Sequence, residues 1–262
     1  MDIQQNIPLA PYTTVKIGGP ADFFIHTKNS KEFIEAIKYG QEKKLPITIL
    51  GNGSNILISD SGVRGLVIKN NSTEIEILPD NKVKVASGVQ LSQLINFTLD
   101  NNLLGLEEFA YIPSTIGGAI IGDIHGDNKS LFSQFIDSVE KIDNFIVSAV
   151  PKLNPGDSTQ AKEKVKNIIQ KKSSIQPMNS LGSIFKNLPN QDPSGMIIDQ
   201  KLNLKDFSIG DAQISPTHAN FIINNGSASA SDYLKLIRLI QSQAKEKLNL
   251  DLELEIKLLG QF

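Results

Sequence analysis

The sequence of 262 residues contains no cysteine, no long apolar run and no block of like charges. Without cysteine there can be no disulfide, no thiolate catalysis and no cysteine-ligated metal, and we predict no metal site. No apolar run approaches the length of a membrane span, and the N-terminal MDIQQNIPLA lacks a basic region followed by a hydrophobic one. These absences predict a cytoplasmic protein that is not a membrane protein.

Charge is nearly balanced, with 26 basic and 28 acidic residues and a net charge of −2. A nucleic-acid or membrane-surface role therefore has no electrostatic support. The length is sufficient for a substantial core and for more than one domain.

Apolar spacing predicts the secondary structure. Ser30 is the expected cap of the first helix, and Ser229 or Ser231 is expected at the start of the last. The predicted helices cover residues 31–44, 92–102, 163–171 and 231–248. The predicted strands are PITILG, NILISD, GLVIK, KVKVASG and the alternating tail DLELEIKLL.

The stretch LGNGSNILISD, residues 50–60, joins two apolar runs through five small or polar residues: Gly51, Asn52, Gly53, Ser54 and Asn55. Successive N–H groups in such a turn suit the oxygens of a pyrophosphate. The stretch lacks the third glycine of the dinucleotide fingerprint and leads into a strand, which disfavours a Rossmann site. A phosphate cradle and a tight connection between strands are equally consistent with this stretch alone.

Two further segments combine small residues with hydroxyls between apolar runs. TTVKIGGPADFFI contains Gly18 and Gly19, and YIPSTIGGAIIG contains Ser114, Thr115, Gly117 and Gly118. One extended ligand lying against all three segments would explain the pattern economically.

Six motifs occur in the order in which they are found in one enzyme family: PLAPYTTVKIGGPAD, LGNGSNILISD, IPSTIGGA, LGSIFKN, SPTHANFIIN and LELEIKLLG. From about residue 6 to residue 260 the chain resembles the UDP-N-acetylenolpyruvoylglucosamine reductases. The resemblance implies an α+β fold, in which an FAD-binding module of the vanillyl-alcohol oxidase (PCMH) type in two subdomains precedes a C-terminal α+β substrate domain. The expected boundaries are 1–68, 69–165 and 166–248, with residues 249–262 returning to the active site as a strand.

The implied function is FAD-mediated, NADPH-dependent reduction of UDP-N-acetylglucosamine enolpyruvate to UDP-N-acetylmuramate, in peptidoglycan precursor synthesis. The resemblance assigns the FAD pyrophosphate to the 51–55 loop and the flavin to the 113–119 loop. The implied cofactor-binding residues are Gly18, Gly19, Gly51, Asn52, Gly53, Ser54, Asn55, Pro113, Ser114, Thr115, Gly117, Gly118 and Ala119.

The resemblance also implies residues for the chemistry. Ser183 of GSIFKN matches the family's proton donor, although a serine after glycine is more often a turn residue. Glu255 matches the active-site glutamate, with Glu253 as the off-register competitor two residues earlier on the same face. The tail by itself suggests a solvated edge. The implied substrate-binding residues are Lys186, Asn187 and His218. His218 is nearly as consistent with a histidine whose hydrogen bonds are made inside the fold.

The chain departs from the family at the Tyr-Arg pair whose arginine stabilises the enolate. Its two arginines, Arg64 and Arg238, lie in other contexts. Activity is therefore open, with two alternatives: a non-catalytic flavin-binding relative, and a different FAD oxidoreductase on the same fold. The candidate replacements for the arginine are Lys186, Lys171, Lys172 and His125.

Overall fold

A computed structural model describes residues 2–262, which form two compact units, each assembled from separate stretches of the chain. The first unit contains Phe24–Asn52 and Gly65–Ser174, together with the residues up to Gln4. The second contains Gln5–Phe23, Gly53–Arg64 and Ile175–Phe262. The predicted boundaries at residues 68, 165 and 248 stay a prediction.

The described part of the chain contains both helices and strands. The strands are β1 (Gln4–Pro8), β2 (Pro20–Thr27), β3 (Ile47–Leu50), β4 (Ile56–Ile58), β5 (Val63–Asn70), β6 (Ile75–Ile77), β7 (Val83–Ala86), β8 (Leu103–Leu104), β9 (Ile136–Ile142), β10 (Phe145–Pro151), β11 (Asn154–Pro155), β12 (Ser208–Ile209), β13 (Ala212–Ile214), β14 (Ile222–Asn224) and β15 (Lys257–Leu259). The helices are α1 (Ser30–Glu42), α2 (Leu91–Asp100), α3 (Ile116–Gly122), α4 (Thr159–Ser173), the single turn α5 (Ser194–Met196) and α6 (Ala230–Leu248). Among residues 2–262, no helix has the length and apolar character to cross a membrane.

The first unit contains two larger sheets and the short antiparallel pair of β8 and β11. In one, β2, β5 and β3 follow in that order, and β3 pairs in parallel with β5 so that Ile47 lies opposite Leu66. The other is antiparallel with the order β6-β7-β10-β9. The apolar sides of β7, α2 and α3 bury one core, which includes Leu94, Phe109 and Ile116. β3 ends at Leu50, which is buried, so the predicted cradle lies directly after this strand.

The second unit has its own core, on which α6 packs with the sheet β12-β13-β14. Tyr233 of α6 is fully buried, and its hydroxyl donates to the Ile222 carbonyl at 2.9 Å. Burial raises the pKa of Tyr233 well above its usual range. A phenol that stays protonated keeps this donor at any ordinary pH.

The long helices lie where apolar spacing predicts them. Helix α6 begins after Ser229, whose hydroxyl accepts from the Asp232 N–H at 3.0 Å, so the first of the two predicted starts is correct. The predicted Ser30 cap is wrong by one residue: Asn29 is the cap, and its Oδ1 accepts from the Glu32 N–H at 2.8 Å. Asparagine and serine are comparable caps, so neighbouring candidates could not be separated by residue type.

The C-terminal tail is not the continuous strand that strict alternation predicts. Only Lys257–Leu259 is a strand, paired in parallel with β4, while the residues around Leu254 pair with the segment around Phe185. The chain changes partner between these two pairings. Leu258 is consequently 41% exposed, although Leu252 and Ile256 on the same predicted face are buried.

Candidate functional site

The turn after β3 is held by side chains of the first unit. The amides of Asn52 and Gln90 bond reciprocally at 2.5 and 2.6 Å, and the Asn52 amide also donates to the Pro113 carbonyl at 3.1 Å. A Cβ on Gly51 would lie 2.5 Å from Thr115 Oγ1. Position 51 therefore requires glycine, because the Thr115 side chain occupies the space that a Cβ would need. The structure thus brings Gly51, Asn52, Pro113 and Thr115 together.

Lys69 lies beneath this turn and was not found by sequence reasoning. It stands near the end of β5, 8% exposed, and its Nζ donates to the Gly51 carbonyl at 2.5 Å. Burial lowers the pKa of Lys69 from 10.5 to about 8. A lysine directly after the apolar run LVI in β5 was the available signal, because lysine is seldom buried without a partner.

The 113–119 segment is tied to the rest of the first unit. Thr115 caps α3, its Oγ1 accepting from the Gly118 N–H at 3.3 Å. The Gly117 N–H donates to the Ser87 carbonyl at 2.8 Å, and the Ala119 N–H donates to the Thr115 carbonyl at 2.8 Å. These donors are taken by protein, so a ligand at this helix would meet side chains and glycine surfaces. Ser114 is 9% exposed.

The second unit places the other predicted glycines against its own main chain. Gly53 has φ of +60°, and a Cβ there would lie 2.6 Å from the Tyr12 carbonyl oxygen. Gly19 packs against Asp60, whose carbonyl oxygen would lie 2.1 Å from an added Cβ, and Gly18 packs on the main chain at Ala10. All three positions have structural reasons to be glycine.

The 52–55 loop nevertheless offers unused hydrogen-bond donors. Throughout residues 2–262, no acceptor is found for the main-chain N–H groups of Asn52, Gly53, Ser54 and Asn55. Successive main-chain N–H groups without protein acceptors suit the oxygens of an anionic ligand. The pyrophosphate of a dinucleotide has the oxygens to accept them, and the loop therefore fits FAD.

Ser183 and Glu255 lie on paired segments of the second unit. The Glu255 N–H donates to the Ile184 carbonyl at 2.8 Å, and the Lys186 N–H donates to the Glu253 carbonyl at 2.9 Å. Within the described chain, the Ser183 hydroxyl and the Glu255 carboxylate have no hydrogen-bond partner, and both residues are partly exposed. The main-chain pairing thus places the two residues on adjacent segments, and both side chains remain available.

The same pairing extends to the end of the glycine loop. The Asn55 amide donates to the Glu255 carbonyl at 3.4 Å, and the Lys257 N–H donates to the Asn55 carbonyl at 3.0 Å. The second unit therefore brings Asn55 next to Glu255, although 200 positions separate them in the chain.

Asn220 fixes the Ser183 segment and was missed from the sequence. It is 4% exposed; its Oδ1 accepts from the Phe185 N–H at 3.0 Å, and its Nδ2 donates to the Phe185 carbonyl at 2.8 Å. The Ile184 N–H donates to the Asn220 carbonyl at 2.8 Å. The side chain thus acts as a strand partner for the residues after Ser183. Its place in SPTHANFIIN was a signal, but nothing local shows what the amide bonds.

The three predicted substrate residues have partners of different kinds. Lys186 Nζ lies 3.3 Å from Glu253 at the surface. Asn187 Oδ1 accepts from the Ser194 N–H at 2.9 Å, at the start of α5. His218 Nδ1 accepts from the Asn220 N–H at 3.2 Å, which leaves the proton of a neutral ring on Nε2.

Asn187 and His218 meet at the same turn. A Cβ on Gly195, the residue after Ser194, would lie 3.1 Å from His218 Cε1. The structure therefore gathers both residues at α5.

Neither arginine is an obvious substitute for the family's missing one. Arg64 Nη1 bonds Asp22 at 2.6 Å, and Arg238 lies on the exposed side of α6. Among the candidate replacements, Lys172 is paired with Asp127 at 3.1 Å, in the first unit along with Lys171 and His125. Lys186 is the candidate that shares a unit with Ser183 and Glu255.

Comparison with known proteins gives two family matches. Residues 21–144 match the model of an FAD binding domain, and residues 161–259 match the C-terminal domain of UDP-N-acetylenolpyruvoylglucosamine reductase. The predicted α+β fold with an FAD-binding module is thereby confirmed.

Individual relatives extend over almost the whole chain. The UDP-N-acetylenolpyruvoylglucosamine reductase of Geobacillus kaustophilus is 32% identical over 99% of this chain and 94% of its own length. That of Clostridium novyi is 34% identical over 99% of this chain and 93% of its own. The crystal structure of the reductase from Thermus caldophilus superposes with a TM-score of 0.83 at 28% identity, covering 99% of this chain and all of that one.

Proposed function

The chain belongs to the UDP-N-acetylenolpyruvoylglucosamine reductase family, and on that premise we propose that it reduces UDP-N-acetylglucosamine enolpyruvate to UDP-N-acetylmuramate. FAD is the cofactor and NADPH the reductant, as the FAD binding domain and the family imply. We place the reaction in peptidoglycan precursor synthesis in the cytoplasm. The observation that supports the proposal is the main-chain pairing of the segments that carry Ser183 and Glu255, whose side chains have no partner in the described chain.

Reduction of an enol ether conjugated to a carboxylate has three requirements. A hydride must reach one carbon, a proton must reach the other, and the negative charge that develops towards the carboxylate must be stabilised. FAD, when bound, supplies the hydride-transfer chemistry. The residues of this chain must supply the proton and the electrostatic stabilisation.

Ser183 delivers the proton in this proposal. A hydroxyl is a weak acid and donates only to a strongly basic intermediate, so its position matters more than its acidity. The bonds from Asn220 to Phe185 hold the segment that carries it. Glu255 acts on the same substrate intermediate from the neighbouring segment. Asn187 and His218, which contact the α5 turn, bind the sugar nucleotide.

Lys186 is the cation that we assign to the substrate carboxylate. It follows Ser183 by three residues, and its ammonium is at the surface with a single carboxylate partner, Glu253. Lysine lacks the two-pronged fork that makes arginine suited to a carboxylate, so we expect a weaker grip than an arginine would give.

The test separates the two halves of the reaction. Ser183→Ala should leave FAD reduction by NADPH nearly unchanged, because that half-reaction needs no proton from serine. Reoxidation by the enolpyruvyl sugar nucleotide should slow by roughly 10²- to 10⁴-fold. Ser242→Ala, at an exposed position on α6, is the matched control and should change neither half-reaction. Anaerobic stopped-flow absorbance measures each step.

The absence of the arginine of the family's Tyr-Arg pair favours one alternative, a flavin-binding relative that has lost the reaction. It predicts that the wild-type protein binds FAD and is reduced by NADPH but does not reoxidise with this substrate. If the wild type and Ser183→Ala turn over equally fast, the reductase assignment stands, but Ser183 is only a turn residue.

A further inference from the structure

The Gly51–Asn52 peptide is held from one side by Lys69. Lys69 Nζ donates to the Gly51 carbonyl at 2.5 Å, and the side chain is buried. A trans peptide is planar, with its C=O and N–H pointing in opposite directions. A donor fixed on the Gly51 carbonyl therefore turns the Asn52 N–H away from Lys69, and that N–H finds no acceptor among residues 2–262.

Other contacts of the first unit oppose a flip of this peptide. The Asn52 side chain is held by Gln90 and by the Pro113 carbonyl, and the Gly51 Cα packs against Thr115. A charge-assisted bond to one end of a peptide also polarises the N–H at its other end. The result is a fixed and strengthened donor at the start of the 52–55 loop.

We propose that Lys69, as an ammonium, is a positioning residue for the dinucleotide: it holds the Gly51 carbonyl so that the Asn52 N–H faces a phosphate oxygen. The proposal rests on FAD binding by the proposed function and adds a residue that does not touch the ligand through its own side chain. Its charge acts through the peptide that it holds.

The ammonium form can be titrated in an accessible range, because burial lowers the pKa of Lys69 to about 8. The titratable neighbour on β2 is His26, beside Lys28 and Glu32. Partial burial, then the charges of Lys69 and Lys28, lower the pKa of His26, so His26 loses its proton at a lower pH than Lys69 does. A change in FAD affinity between pH 7 and 9.5 therefore reports on Lys69.

The experiment measures the dissociation constant of FAD by the fluorescence of flavin released from the purified flavoprotein. At pH 7, Lys69→Met should weaken FAD by roughly 10- to 100-fold, the range for a bond to a charged group. The dissociation constant of Lys69→Gln, which keeps a donor without the charge, should lie between those of the wild type and Lys69→Met. Wild-type affinity should fall as pH rises from 7 to 9.5, whereas both variants should give flat profiles.

Lys82→Met is the matched control, because Lys82 is an exposed lysine of the same unit and its loss changes the net charge equally. It should keep the wild-type affinity and pH profile. A flat wild-type profile would overturn the proposal even if no variant folded, and so would unchanged affinity in Lys69→Met. If the wild type retains no FAD at all, the proposed function itself fails.

Discussion

Replacing Lys69 by methionine is expected to stabilise the flavin-free protein at neutral pH and to destabilise it at high pH. The pKa of Lys69 is lowered from 10.5 in a solvated chain to about 8 in the fold. Each pKa unit corresponds to about 1.4 kcal/mol, so holding the charged form costs about 3 kcal/mol of the free energy of unfolding. The residue is 8% exposed, so solvent screening reduces this figure little.

The sign follows from the protons bound in each state. Well above pH 10.5 the amine is neutral in both states and carries no penalty. As pH falls from 10.5 to 8, the unfolded chain takes up a proton that the folded chain does not, so stability falls. Below pH 8 the whole penalty is present.

Methionine removes the charge but leaves the Gly51 carbonyl without its donor, at a cost of about 1 kcal/mol. Lys69→Met should therefore be more stable than wild type by about 2 kcal/mol at pH 7. It should be less stable by about 1 kcal/mol at pH 10.5, with the curves crossing in between.

The assay is urea denaturation of flavin-free wild type, Lys69→Met and the control Lys82→Met at pH values from 7 to 10.5, with linear extrapolation to water. Lysines exposed in both states cancel in the differences between proteins. If the free-energy difference between wild type and Lys69→Met stays constant over this range, Lys69 has an ordinary pKa and the reasoning is refuted. If it varies as described, weaker FAD binding by a more stable variant cannot be attributed to unfolding.

Three further substitutions test contacts that the structure assigns. Gly51→Ala should lower the free energy of unfolding by about 1–3 kcal/mol and weaken FAD binding, because its Cβ would meet Thr115 Oγ1 at 2.5 Å. The control Gly122→Ala, whose nearest atom lies at 3.5 Å, should be neutral or stabilising, and equal effects of the two variants on thermal unfolding would contradict the contact. Asp60→Ala should cost about 1–2 kcal/mol, because its carboxylate accepts the first two N–H groups of α6 at 2.8 and 2.9 Å; unchanged urea midpoints would exclude this cap. Asn220→Ala should cost about 2 kcal/mol and slow the substrate half-reaction while FAD retention is unchanged, and loss of flavin instead would show that it supports the cofactor loop.

Much of the fold could be predicted from local sequence. Helix α6 was predicted at 231–248 and is found at Ala230–Leu248, because its apolar spacing and its Ser229 cap lie within the segment itself. The strand-helix-strand opening was also predicted, and it is found as β2, α1 and β3, whereas the parallel pairing of β3 with β5 is seen only in the structure. The continuous C-terminal strand was predicted wrongly for the opposite reason. Its alternation is local, but its pairing partner changes from the segment around Phe185 to β4.

The sequence by itself also determined the family and the residue types of the site, because motifs such as LGNGSN and GSIFKN are contiguous and their order is specific. It could not show why Gly51 is bare: the structure answers with Thr115, which lies 64 positions further along the chain. Lys69 reaches the Gly51 carbonyl across 18 positions, and Asn220 reaches Phe185 across 35. Only the tertiary structure decided these contacts, because a hydrogen bond depends on distance in space, and residue type reveals a possible donor without revealing its acceptor.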